Sequence, residues 1–181
     1  ARIWTALLFL PPLLLAAALF GPVLLAPQGY APATCDDDFY MYYLPMADVA
    51  FGMWREGTLP LWNPYLYAGM PLLASIEVGV LYPPNWLHLV VSTERAFCLL
   101  YVFHAALAAG GTWWFARQRG LRHEAALFAV VSFTFASPMI LHHDKGMTSI
   151  VYSAAWFPAI LAMINRVLAR RTFRSACGLA G

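Results

Sequence analysis

The chain has 181 residues, 61% of them hydrophobic and 11% charged, with a formal net charge of +2. Soluble domains carry about 25% charged residues, so this composition is that of a membrane protein and excludes an ordinary soluble domain. The basic residues form no face interleaved with aromatics, so no nucleic-acid partner is expected.

Ile3 to Leu25 carries no charge and is long enough for a membrane span, which needs about 20 residues. Pro11, Pro12 and Pro22 would kink it, as membrane helices tolerate. A signal peptide flanked by Arg2 is the competing reading, but the apolar run is longer than the usual ~7–15 residues and no A-x-A site follows.

Residues 26–95 read as a long polar loop headed by Asp36, Asp37 and Asp38. Within it, Phe39, Tyr42, Tyr43, Met46, Val49, Ala50, Met53 and Trp54 recur at spacings of three and four, the signature of an amphipathic helix. Asp48, Arg55 and Glu56 fall on its polar side and Gly57 is a natural stop. Pro45 interrupts the pattern, so the helix is expected to begin there, with Asp38 on the preceding turn. Its aromatic face can lie flat in a membrane interface or pack on a subdomain of the same chain. From Gly57 to Pro84 the density of Gly and Pro excludes long regular elements. Trp62, Tyr65, Tyr67, Tyr82 and Trp86 have apolar bodies and polar tips suited to the headgroup level. Asn63, held extended or in a turn by Pro64, and Glu77 can bind sugar hydroxyls, although such residues more often cap turns.

Three further spans follow at about 96–116, 125–141 and 150–168, joined by a basic connection (Arg117, Arg119, Arg122, His123) and a polar turn, His142-His143-Asp144-Lys145. His88 and His104, in apolar surroundings, read as packed residues, and Gly110-Gly111 as a close helix contact, not a phosphate cradle. Cys35, Cys98 and Cys177 form neither a disulfide framework nor a metal spacing. With four spans, eight basic residues and Glu124 share one side, while three basic and eight acidic residues share the other. The positive-inside rule then puts the basic connections in the cytoplasm and loop 26–95 outside. The expected fold is all-α: a polytopic bundle of four transmembrane helices with amphipathic interfacial helices in one outer loop. Ser175 to Gly181 reads as the start of another apolar run, so residues 1–181 are expected to be the N-terminal part of a longer membrane domain.

On this topology Asp36-Asp37-Asp38 and His142-His143-Asp144 meet the same outer face. Adjacent carboxylates repel one another, so one keeps a raised pKa and can act as a base, or the set holds a divalent cation such as Mg or Mn. His142, His143 and Asp144 are candidate metal ligands. Solvated loop residues are the plain alternative for either cluster. No Walker, Rossmann, G-x-S-x-G or HExxH pattern occurs.

Three runs carry a family resemblance: Asp38 to Pro45, Arg55-Glu-Gly-Thr-Leu-Pro-Leu-Trp-Asn-Pro-Tyr65, and Ala68-Gly-Met-Pro71 with Leu81-Tyr-Pro-Pro84. Together they resemble the first outer loop of YfhO-type bacterial membrane proteins, within the GT-C glycosyltransferase superfamily. Ala155-Trp-Phe-Pro158, with the basic end Arg166 to Arg171, is similar to that family's fourth span. The resemblance implies a glycosyltransferase in the bacterial cytoplasmic membrane. It would take sugar from a polyprenyl-phosphate donor at the outer face and glycosylate a cell-envelope glycan or polymer. It also implies Asp38, with Asp37 beside it, as the catalytic residue that acts as base or holds the acceptor. His142, His143 and Asp144 would stand where the family holds metal or donor phosphate. Asp36, Trp62, Asn63, Tyr65, Glu77 and Lys145 are the candidate substrate-binding residues. The family has some ten or more spans, so this part alone would be inactive. A flippase of lipid-linked glycans and a non-catalytic envelope-assembly protein remain the alternatives.

Overall fold

The computed structural model describes residues 38–136 and 147–170, with Gly21 and Leu25, both helical. The rest of the expected first span, and Asp36, Asp37, His142, His143, Asp144 and Lys145, lie outside the described residues. The described chain is mostly helical and divides into two compact units.

The first unit comprises residues 38–102 and 147–151. It opens on a π-helical turn, Phe39–Tyr43, which runs directly into helix α1, Leu44–Arg55. The helix therefore does not begin at Pro45, as the sequence suggested. In the wider turn the Leu44 N–H reaches the Phe39 carbonyl, and Pro45 falls in the first α-turn, where its missing N–H disturbs no hydrogen bond. At the other end the Gly57 N–H bonds Trp54 O at 3.0 Å and the Thr58 N–H bonds Met53 O at 2.9 Å. That Schellman pattern needs the left-handed conformation Gly57 adopts at φ +80°.

Met46, Ala47, Ala50 and Phe51 are the buried face of α1, packed with Phe39, Leu72, Val78, Val80 and Phe97. The chain's own loop thus covers this face, the second of the two arrangements the periodicity allows. Asp48, Arg55 and Glu56 stay exposed, as the pattern indicated. Thr93 Oγ1 donates to Asp48 Oδ1 at 2.8 Å and ties α1 to the next helix.

Between them the loop forms a two-residue antiparallel pair, β1 (Trp62–Asn63) with β2 (Met70–Pro71), Trp62 opposite Pro71. Tyr67 and Ala68 take positive φ (51° and 59°) to close it, and the Trp62 indole lies over Gly69. A 3₁₀ helix, Pro83–Leu89, follows. Helix α2, Thr93–Gln118, begins after Ser92, whose Oγ accepts the Arg95 N–H at 3.4 Å.

The second unit comprises residue 21, residues 103–136 and 152–170. It holds the later turns of α2, helix α3 (His123–Thr134) and most of helix α4 (Thr148–Arg170). Helix α2 ends in a second Schellman pattern, Gly120 N–H to Arg117 O and Leu121 N–H to Ala116 O. Gly111 meets the Ala159 backbone so closely that a Cβ would sit 2.8 Å from Ala159 N. His104 stacks on Tyr152 at 3.8 Å between centroids, a packed histidine as expected.

Among the described residues two helices, α2 and α4, are long and apolar enough to cross a membrane. At ~1.5 Å per residue their apolar segments, 26 and 22 residues, exceed the ~30 Å hydrocarbon thickness. Of the expected third span at 125–141, residues 125–134 lie in α3, Phe135 leaves the helical conformation, and residues 137–141 lie outside the described residues. Pro138 lies just ahead in sequence and disfavours helix at the residue before it. Two of the four expected spans, the second and the fourth, are thus present as long apolar helices among the described residues.

Candidate functional site

The site is assembled by the π-turn, the loop ahead of the 3₁₀ helix, and the first turn of α4, all within the first unit. Asp38 precedes the π-turn and is exposed. Tyr43 closes that turn. Glu77 comes from the loop and Ser149 from the start of α4.

Ser149 Oγ donates to Glu77 Oε2 at 3.0 Å, joining residues 72 apart in sequence. The Tyr43 phenol lies close to both Glu77 and Ser149. Burial of the phenol, then its bond to Glu77, then the charges of Glu77 and Asp38 push the Tyr43 pKa up to about 12, with Ser149 pulling the other way. Tyr43 therefore stays neutral at any physiological pH, and Glu77 accepts the Ser149 hydroxyl with the phenol close by. A carboxylate held this way can bind a sugar hydroxyl; Asp38, whose charge is felt at Tyr43, is the exposed carboxylate at the head of the same unit.

The candidate substrate residues of the hairpin separate into two kinds. Trp62 is half-exposed and Tyr65 is 81% exposed, so both rings are open to a ligand. Asn63 is buried: its Nδ2 donates to Met46 Sδ at 3.2 Å and its Oδ1 accepts the Tyr65 N–H at 2.9 Å. In this structure it clamps the hairpin to α1 and supports its two aromatic neighbours.

His88 is buried, stacked on Phe51 at 4.8 Å and edge-on to Phe97 at 4.7 Å. Its Nδ1 has no hydrogen-bond partner among the described residues. Burial, then the Arg55 charge, lower its pKa to about 4 against a smaller opposing pull from Asp48, so at neutral pH it is an uncharged core ring. Asn85 bridges the carbonyls of Val78 and Gly79, both at 3.1 Å, and shapes the loop that carries Glu77.

Among the described residues no three His, Cys, Asp or Glu side chains gather to hold a metal ion. The expected ligands His142, His143 and Asp144 lie outside them. Reading the sequence missed Tyr43 and Ser149 as partners of Glu77. Tyr43 stood in an apolar helical pattern, and nothing local ties Ser149 to a loop 72 residues earlier.

Comparison with protein families, with curated proteins and with solved structures finds no match to this chain. The class that fold and site define is a mostly helical protein with two helices of membrane-crossing length and a separately packed loop unit.

Proposed function

We propose that this chain belongs to a membrane glycosyltransferase that draws a sugar from a polyprenyl-phosphate donor outside the cytoplasmic membrane and passes it to a cell-envelope acceptor. The observation that carries the reading is the Glu77 carboxylate held by Ser149 with the Tyr43 phenol near it, in a unit that also carries the exposed Asp38. A sugar on a lipid phosphate already has its leaving group. The enzyme needs a base for the acceptor hydroxyl and fixed acceptors that orient the sugar. Asp38 suits the first role and Glu77 the second, with Trp62 and Tyr65 as rings for a sugar face. Membrane placement is supported by α4, whose Ile150, Phe157, Ile160, Ile164 and Leu168 remain exposed at spacings of three, four and seven. A core helix of a soluble protein would bury that stripe.

The test uses the full-length protein in native membranes with radiolabelled polyprenyl-phosphate sugars. Asp38→Asn is expected to lower transfer at least 100-fold while carrier binding persists. Glu77→Gln is expected to raise KM more than it lowers kcat. Transfer undiminished by Asp38→Asn sinks the reading. Altered carrier movement across the membrane, with no glycosylated product at any stage, points instead to a flippase.

A further inference from the structure

Within the second unit, the C-terminal ends of α2 and α4 enclose a cleft of about 320 Å³ lined by Trp114, Gln118, Asn165, Arg166 and Ala169. Its polar groups form a connected set. With the Gln118 amide turned to accept from Trp114 Nε1 at 2.7 Å, its nitrogen donates to the Ala162 carbonyl at 3.1 Å. In the other orientation of that amide, Asn165 Nδ2 donates to Gln118 Oε1 at 2.8 Å instead; Arg119 Nη1 donates to Asn165 Oδ1 at 3.4 Å. Arg166 has neither a hydrogen bond nor an ion pair among the described residues.

The charge at this end is one-sided. Arg117, Arg119, Arg122 and Arg166 stand against Glu124, and that carboxylate already faces Arg122 at 3.6 Å. Each helix C-terminus contributes roughly half a negative charge, which the four arginines outweigh. An indole, fixed amides and an unpaired guanidinium at the wet end of two membrane-length helices are the chemistry that recognises a phosphate at the bilayer surface.

We propose that this cleft binds a phosphate-bearing anion, supplied either as the headgroup of an anionic phospholipid or as free phosphate. The inference rests on the cleft and its charge and is independent of the transferase reading.

Native mass spectrometry of the full-length protein in detergent, titrated with phosphatidylglycerol or phosphatidylcholine, tests it. The wild type is expected to retain phosphatidylglycerol selectively. Arg119→Gln combined with Arg166→Gln should weaken that retention at least fivefold, and the Arg→Lys pair should recover part of it. Ala169→Trp, which fills the cleft without removing charge, should weaken it as well, so misfolding of one variant does not decide the outcome. Competition by millimolar inorganic phosphate would identify free phosphate as a sufficient ligand; none would assign the site to lipid. Equal retention of the two lipids by the wild type, or unchanged phosphatidylglycerol binding by both the glutamine pair and Ala169→Trp, overturns the proposal.

Discussion

A single buried imidazole sets the acid limit of the loop unit. His88 lies between the rings of Phe51 and Phe97 with Nδ1 unbonded, and burial beside Arg55 lowers its pKa from 6.5 to about 4. The unfolded chain therefore binds a proton across that window while the fold refuses it. Stability is then full above about 6.5 and declines as pH falls towards 4. The difference corresponds to on the order of 3 kcal/mol for a group this buried. His88→Phe keeps a ring between Phe51 and Phe97 and removes the titration. Thermal unfolding of the purified protein at pH 7 and pH 4.5 is expected to show a smaller acid loss for His88→Phe than for wild type. An equal loss in both would assign the acid sensitivity to the carboxylates instead. Tyr43 acts at the opposite extreme: with its pKa raised from 10 to about 12, its contribution is complete below pH 10 and lost only above it.

At the scale of elements, two adjacent glycines of α2 have opposite surroundings. A Cβ on Gly110 would meet nothing within 4 Å, whereas one on Gly111 would sit 2.8 Å from Ala159 N and 3.2 Å from its Cα. The obstacle is backbone, so the two helices must separate, at a cost of about 1–3 kcal/mol. Replacing a helical glycine by alanine gains at most ~1 kcal/mol in propensity. Gly111→Ala should therefore lower the unfolding temperature in detergent while Gly110→Ala leaves it unchanged or raises it. The reverse order would show that the glycine contact does not hold α2 to α4. Sequence alone marked this pair as a packing contact but could not say which glycine makes it, because both sit in the same apolar run. Helix α1 was legible for a related reason: Met46, Ala50 and Met53 repeat at helical spacing and Gly57 ends them. The π-turn was not, since Pro45 looks like a start signal in one dimension and is harmless only once the preceding turn widens. Glu77 was visible as a candidate for binding sugar hydroxyls. Its partners were not, because Tyr43 and Ser149 reach it only through folding.

For the whole molecule, the decisive matter is whether α2 crosses a bilayer. Twenty-six residues of helix span about 39 Å, more than the ~30 Å apolar layer. The two ends also differ in kind: Ser92 and Glu94 open the helix, while Arg117, Arg119 and Arg122 lie at or beyond its close. A cytoplasmic bias of arginines predicts that the second end faces inward and the first outward. The same assignment underlies the proposed transferase, whose Asp38 must meet substrate outside. After replacement of Cys35, Cys98 and Cys177 by serine, Ser92→Cys should react with a membrane-impermeant maleimide in intact cells. Arg119→Cys should react only after permeabilisation. If both positions label from outside, α2 does not cross and the outer-face transferase falls with it. If the accessibilities are inverted, the helix crosses but Asp38 is expected to open to the cytoplasm, where the polyprenyl-phosphate donor would have to be met on the other leaflet.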